Sequence, residues 1–480
     1  MPLPRAGRPK AELLAELRAF KARDVPWEEG RVMTSIFLAT REGREVAEEA
    51  YTLYLWENAL DPSAFASLPR IEREVVAMAR DHVRGGADVV GSFTSGGTES
   101  CMLAVKTARD WCRAHRPNVT RPTLVIPATA HPAFHKGCQY FGVEAVVTPV
   151  DPVSFRADVG AMAAAITDQT ILLVGSACSF PHGAVDDIPA IGRLALEREL
   201  LFHVDGCIGG FLLPFWREMG ADVPEFDFTV PGVSSLSMDF HKYALCAKGA
   251  SVVLYRDAEL RRHQFFCYSN WPGYAVVNAT MQSSKSGGPL ASTWATLQHF
   301  GHDGYLAIAR KLAEATARCL EIVAGIEGLR VVGEPAISLF AIGADGESGA
   351  DVFAVADRME ARGWHMYPQL GRFGSPPTLH VTILPWVAER VDAWGDDLRQ
   401  VVAEVRAQPA PTDGGGLAAM AAGLDLAALD AKQIEELMAF AGIDPQALGG
   451  ELAEINHLLD ALPPAVADEV FRVFLDRLTR

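Results

Sequence analysis

The chain has 480 residues, enough for two or three domains and a large core. A hydrophobic content of 49% with 21% charged residues describes an ordinary globular protein, and a net charge of −17 argues against nucleic acid or an anionic membrane surface as partner. Eight scattered cysteines, with no C-x-x-C pair and no His/Cys cluster at ligand spacing, predict reduced thiols in a cytoplasmic setting and no metal centre. The opening Met1-Pro-Leu-Pro-Arg5 carries no apolar segment, so no secretory signal is expected. No apolar run reaches about eighteen residues, so no transmembrane segment is expected either.

Amphipathic periodicity predicts helices over 10–21, 43–57 and 71–84, the last stopped by Gly85-Gly86. Strand and helix patterns then alternate: strand 89–94, helix 98–114, strand 123–127, helix 133–141, strand 145–150, helix 159–166, strand 170–177, helix 188–198 and strand 201–204. Such alternation with continuous apolar strands predicts an α/β fold with a mostly parallel, doubly covered sheet. A serine-rich alternating run follows at 233–238, and a further strand at 252–255. A long helix over 304–326 leads into segments 329–332, 336–342, 352–362 and 378–382, which predict a smaller α+β domain. Pro409–Gly416 has the composition of a linker, and helices over 432–440, 448–462 and 465–478 fit the tail. The expected division is an N-terminal helical segment (1–60), a large domain (61–300), a small α+β domain (301–408), and a linker with a helical extension (409–480).

Four signals carry chemistry. Thr94-Ser-Gly-Gly-Thr-Glu-Ser100 sits between a strand and a helix, where Gly96 and Gly97 permit close backbone approach and the helix start offers free amides to an anion. Thr98 adds a hydroxyl. His131 follows the next strand, where an imidazole can stack on a flat ring. Phe202-His203-Val-Asp205 reads as a buried strand ending on a carboxylate. The serine-rich run delivers Asp239-Phe-His241-Lys242. Taken singly, His131 reads as a capping or surface histidine and Lys242 as a surface lysine. Together they fall, in order, at the carboxyl ends of successive strands, where open α/β sheets bind ligands. A strand-end Asp with a strand-end His-Lys is the set that holds pyridoxal 5'-phosphate: the amine condenses with its aldehyde, and the carboxylate keeps the pyridine nitrogen protonated. Cys207 and Cys246, close in sequence to these residues, read as small buried hydrophobes.

The order and wording of these phrases resemble the group II pyridoxal-phosphate-dependent decarboxylase family of fold type I (aspartate aminotransferase-like), and within it the sphingosine-1-phosphate lyases. Further shared phrases are Phe180-Pro-His-Gly183, Gly209-Gly-Phe211, Lys248-Gly249, His299-Phe-Gly301 and Gly363-Trp364; the resemblance spans about 28 to 425. It implies that Lys242 binds the cofactor covalently, Asp205 pairs with its ring nitrogen and His131 stacks on the ring. Gly96, Gly97, Thr98 and His241 would hold its phosphate, and Tyr243 and Lys248 would face the substrate, an amine or amino acid. It also implies a homodimer with a shared active site, in which residues near 284–288 reach the partner's site. The implied reaction is a retro-aldol cleavage of a 2-amino-3-hydroxy compound: a base removes the C3 hydroxyl proton, the C2–C3 bond breaks, and an aldehyde leaves. Lys248 or a histidine such as His203 is a candidate to carry protons, and His203 is also expected among the cofactor-binding residues.

Three positions depart from the lyase pattern. A phrase of the type Asn-Pro-Leu-His-Pro-Asp is Asn58-Ala-Leu-Asp61-Pro-Ser63 here, a tyrosine has become Phe37, and the arginine of Gly-Ser-Arg-Pro-Gly has become Lys285. A carboxylate about 5 Å from a phosphate costs on the order of a few kcal/mol at an effective dielectric near 20. Either these changes redirect specificity to a substrate without phosphate, or Asp61 turns outward. Decarboxylation of an amino acid on the same scaffold therefore stays open beside the lyase reading, and the intact Lys242, Asp205 and His131 argue against a non-catalytic scaffold. The tail from about Leu426 lies beyond the resemblance and reads as a packing or dimer-contact appendage, with a lid or partner-binding module as the alternative.

Overall fold

Seven short strands form the central sheet: β1 (Val90–Thr94), β2 (Thr123–Pro127), β3 (Glu144–Thr148), β4 (Thr170–Ser176), β5 (Leu201–Asp205), β6 (Ser235–Asp239) and β7 (Ser251–Tyr255). The computed structural model describes residues 2–22, 24–38, 40–346, 349–407, 433 and 452–479. The strands lie in the order β1-β7-β6-β5-β4-β2-β3. β7 runs antiparallel to both neighbours, and the remaining pairs are parallel. β4, β6 and β7 are buried along their whole length, as strands covered on both faces must be. On β6 the alternation Ser-Leu-Ser-Met-Asp sorts two buried faces. A Cβ added to Gly210 of the helix Gly209–Glu218 would meet Met238, and one added to Gly97 of the helix Gly97–His115 would meet Asp239. The polar face of β6 therefore looks toward the helix that starts at the glycine loop.

Beyond the sheet come a small hairpin, β8 (Phe266–Tyr268) with β9 (Val276–Asn278), and an antiparallel sheet of β10 (Leu329–Ile337), β11 (Leu339–Ala344), β12 (Tyr367–Gln369) and β13 (Thr378–Thr382) in the order β10-β11-β13-β12. The expected helix 304–326 is the second half of a longer one, Gly288–Ala324, bent where Gly301 adopts φ 55° and ψ −176°. Periodicity is lost across that break, which hides the first half. The helices Gly209–Glu218 and Val391–Ala407 were not expected; the first opens on two glycines and contains Pro214, which read as loop residues. In the tail, the helices Ala453–Ala461 and Pro464–Leu478 bury Leu458, Leu459, Leu462, Val466 and Val470 together, with Leu370 packed against them. The expected linker and the expected helix 432–440, apart from residue 433, lie outside the described residues. Among the described residues, no helix is long and apolar enough to cross a membrane.

Candidate active site

The parallel register of β5 and β6 sets His203 beside Ser235 and Asp205 beside Ser237. Side chains two apart on a strand share a face, so these four polar groups form one buried ladder. His203 Nδ1 lies 2.8 Å from Ser235 Oγ and its Nε2 lies 3.2 Å from Ser237 Oγ. Asp205 Oδ1 accepts the Cys207 amide at 3.0 Å and the Ser237 hydroxyl at 3.4 Å. Each partner satisfies a group that would be costly to bury alone.

Above the ladder, at the carboxyl ends of β1, β4, β5 and β6, lies a cavity of about 350 Å³. Its walls include Gly96, Gly97, Thr98, His131, Asp205, His241 and Lys242, so these seven expected site residues meet in one place. Lys242 Nζ stands 3.0 Å from Asp239 Oδ2. Burial presses the Lys242 ammonium toward neutrality, but the charges of Asp239 and Asp205 outweigh it and raise its pKa. Burial likewise pushes the Asp239 carboxyl up, and Lys242 with His241 overcomes this and holds it below the usual range. Asp239 carried no expected role; its place in the Asp-x-His-Lys phrase was the signal that could have revealed it. His241 accepts the Ala250 amide at Nδ1 (3.1 Å), and burial lowers its pKa to about 4. His131 accepts the Ala133 amide at Nδ1 (3.1 Å), and burial lowers its pKa as well.

Glu99 is a second residue that the motif contained without a role. Its Oε2 accepts the Ser95 amide at 2.7 Å and its Oε1 the Met281 amide at 2.6 Å. One buried carboxylate thus ties the glycine loop to the segment after β9. Ser176, Cys178, Phe180 and Cys207 also line the cavity. Phe180 is held by a stacked His380 at 4.0 Å, and Gly183, at φ 71°, lies so close to Leu339 that a Cβ there would sit 2.1 Å from its carbonyl oxygen. This contact fastens the Phe180–Gly183 turn to the smaller sheet.

Two expectations need correction. His203 does not line the cavity: it is fully buried, both ring nitrogens are engaged by serines, and burial lowers its pKa to about 4. It supports Asp205 through Ser237 and is not placed to carry substrate protons. Tyr243 is also buried, its hydroxyl donates to the Ser338 carbonyl at 2.9 Å, and it is not among the residues that line this cavity. Of the two nearby cysteines, Cys207 lines the cavity, whereas Cys246 packs in the apolar core.

A larger cavity of about 1150 Å³ adjoins the first and shares Ser95 with it. Asp61, Lys248, Lys285, Arg261 and Glu72 line it beside apolar Leu68, Phe93, Phe265 and Leu290. Asp61 and Lys285 come together because Ala59 N–H donates to the Lys285 carbonyl (2.9 Å) and Asn58 bridges Ser286. Lys285 Nζ donates to Thr280 Oγ1 at 2.9 Å. Lys248 Nζ donates to the Ser35 carbonyl at 2.6 Å and lies 5.2 Å from the centre of the Phe37 ring, which meets Tyr243 edge-on. Burial, aided by the nearby Lys242 charge, lowers the Lys248 pKa to about 8. Residues 283–286 line this cavity within the same chain.

The smaller cavity fits pyridoxal phosphate. A Cβ at Gly97 would meet Asp239 Oδ2 at 2.7 Å and Cys207 Sγ at 2.8 Å, so only glycine lets the helix start lie this close to the strand ends. The first helical hydrogen bond is Ser100 N–H to the Gly96 carbonyl, which leaves the amides of Gly97 to Glu99 for an anion. The buried Ser176 hydroxyl has no hydrogen-bond partner among the described residues and lines the same cavity. An anion cradle, a buried carboxylate, an open imidazole and a lysine match the cofactor's phosphate, ring nitrogen, ring face and aldehyde.

Comparison with known proteins agrees with this chemistry. Residues 72–342 match the pyridoxal-dependent decarboxylase conserved domain, and residues 415–477 match the C-terminal putative HTH domain of pyridoxal-dependent enzymes. The tail expected to lie beyond the resemblance thus matches a domain described from such enzymes. The chain is 39% identical over 412 residues to a sphingosine-1-phosphate lyase of Arabidopsis thaliana, covering 84% of this chain and 74% of that one. It is 37% identical over 405 residues to the Dictyostelium discoideum lyase, with the same coverage. The solved structure of a Burkholderia pseudomallei sphingosine-1-phosphate lyase superposes with a TM-score of 0.81 at 36% identity, covering 89% of this chain and 97% of that one.

Proposed function

The chain belongs to the pyridoxal-dependent decarboxylase family, and from that premise we propose that this pyridoxal-phosphate-dependent lyase cleaves the C2–C3 bond of a 2-amino-3-hydroxy compound with an extended apolar part, in the manner of a sphingosine-1-phosphate lyase. One observation carries the reading: the cofactor-sized cavity shares Ser95 with a larger one whose lining combines apolar side chains with ionic ones, Lys248 among them. The bound cofactor supplies an aldehyde that condenses with the substrate amine and a ring that takes up the electron pair when a bond to the amine-bearing carbon breaks.

The protein's own residues set everything else. Lys242 holds the cofactor, and Asp205, kept aligned by the Cys207 amide and Ser237, holds its ring nitrogen in the protonated form. The helix start at Gly97 and Thr98 holds the phosphate. His131 supports the ring face. Lys248 takes the C3 hydroxyl proton: with its pKa lowered to about 8, an appreciable fraction is neutral near physiological pH. Lys248 is among the residues that line the larger cavity, where an incoming hydroxyl would enter.

Exposed Phe266, Tyr268, Trp271, Tyr274 and Val277 on the β8–β9 hairpin support a second copy of the chain covering that face, and hence a homodimer. Seven buried, unpaired cysteines and one exposed one support a reducing, cytoplasmic setting. The Asp61 carboxylate in the larger cavity favours a second reading, in which the same cleavage acts on an amino alcohol without phosphate.

The test is to offer the loaded enzyme a phosphorylated sphingoid base, its unphosphorylated partner and free amino acids, following aldehyde and carbon dioxide. Aldehyde from either amino alcohol, abolished in Lys242→Ala together with the visible absorption of the bound cofactor, is expected. Carbon dioxide from amino acids without any aldehyde would overturn the proposal in favour of decarboxylation.

A further inference from the structure

Beneath Asp205 the cavity floor holds two thiols that neither cleavage nor decarboxylation uses. Cys101 lies in the first turns of the helix Gly97–His115, and Cys207 lies two residues past β5. Both are buried, both line the cavity, and their sulfurs are 4.0 Å apart. An Asp205 oxygen and the two sulfurs all lie within 4.8 Å of one another. Two thiolates bound tetrahedrally to a zinc-class ion, each about 2.3 Å from it, stand about 3.8 Å apart. The observed sulfur separation of 4.0 Å is close to that value. Ser237 Oγ, 3.2 Å from Cys207 Sγ and 3.4 Å from Asp205 Oδ1, supplies the outer polar contact that such ligand sets use. The remaining coordination position faces the cavity, where water has room.

We propose that the cofactor-free enzyme carries a soft-cation site formed by Cys101 Sγ, Cys207 Sγ and the Asp205 carboxylate, and that a zinc-class ion bound there excludes pyridoxal phosphate. The exclusion follows from Asp205. The cofactor's protonated ring nitrogen requires that carboxylate, and a carboxylate oxygen committed to the ion is no longer there to accept from it. Binding converts two thiols to thiolates and releases two protons per ion, with no oxidation or reduction. This site rests on the cavity being the cofactor's, and cofactor loading has its own visible absorption, so failure of that reading is distinguishable from failure of this one.

The experiment uses full-length protein in a Cys267→Ser background, which removes the exposed thiol, stripped of cofactor and kept under a non-thiol reductant. Cadmium ion is the probe, read by the near-ultraviolet absorption of cadmium thiolate and by equilibrium dialysis. The expected result is about one bound equivalent, suppressed by prior loading with pyridoxal phosphate, with affinity reduced at least tenfold in Cys101→Ser. Cys207→Ser is read in parallel, with far-ultraviolet circular dichroism to verify folding, in case one variant fails to fold. Absence of the thiolate absorption, its persistence in whichever variant folds, or its indifference to cofactor loading would each overturn the proposal.

Discussion

Asp61 is the residue whose structure bears most on specificity. Its Oδ1 accepts the Ser63 amide (3.0 Å), the Ser63 hydroxyl (2.6 Å) and the Ala64 amide (3.1 Å). The Ser63 hydroxyl, then the Ala64 amide, lower its pKa, so it stays anionic while lining the larger cavity. The carboxylate builds its own turn through Oδ1, and Asp61 is at the same time among the residues that line the cavity. Asn at this position keeps the acceptor and removes the charge. Asp61→Asn is expected to lower KM for a phosphorylated amino alcohol several-fold, with kcat little changed and the unphosphorylated partner unaffected. An unchanged KM ratio between the two would detach Asp61 from specificity. Lys242, Asp205 and His131 were legible because strand ends in an alternating chain share one rim. The supporting role of His203 and the packing of Tyr243 were not, because strand partners and a carbonyl ninety-five residues away decide them.

Among the elements, the helix Gly97–His115 does most to define the site. Its start delivers the anion cradle, its next turns carry Glu99 and Cys101 to the cavity, and its glycine lies against Asp239 and Cys207. Gly97→Ala would place a methyl group 2.7 Å from Asp239 Oδ2, forcing the helix start away from the strand ends. Cofactor affinity is expected to fall at least tenfold, measured by titrating the cofactor-free protein and following visible absorption, while thermal stability without cofactor changes by less than about 2 kcal/mol. Unchanged cofactor affinity would show that the close approach is not what shapes the cradle. The element borders themselves came through well where hydrophobic period was unbroken, as in β2 and the helix Ala133–Phe141. They failed at Gly301, where a single glycine conformation joins two helical segments at an angle that no periodicity records.

Across the whole molecule, the tail is fastened to the helix Val352–Ala361 and to the segment after β12 by polar contacts that its sequence does not announce. Asp460 Oδ1 accepts the Gly371 amide at 2.5 Å and faces Arg372, whose guanidinium also reaches the Leu459 carbonyl at 2.7 Å. His457 Nε2 meets Asp351 Oδ2 at 2.7 Å, and Asp357 accepts the Leu452 and Ala453 amides at the helix start. Asp460→Ala leaves the Gly371 amide without its acceptor, a loss of about 1–2 kcal/mol. Amide exchange across 452–479 is expected to accelerate roughly five- to thirtyfold while β4 and β5 stay protected. Equal acceleration in the central sheet would mean that the tail and the sheet open as one unit.

By itself the sequence determined the α/β alternation and the cofactor, and it marked the lysine, carboxylate and imidazole that line one cavity. Those properties are local: hydrophobic period, glycine spacing and residue type at strand ends. Tertiary structure decided what depends on distant parts of the chain meeting. It paired His203 with serines across β5 and β6, brought Asp61 to Lys285 around one cavity, and set Cys101 against Cys207 beneath Asp205. Contacts between residues a hundred positions apart arise from strand order and helix placement, and no spacing in a linear chain encodes them.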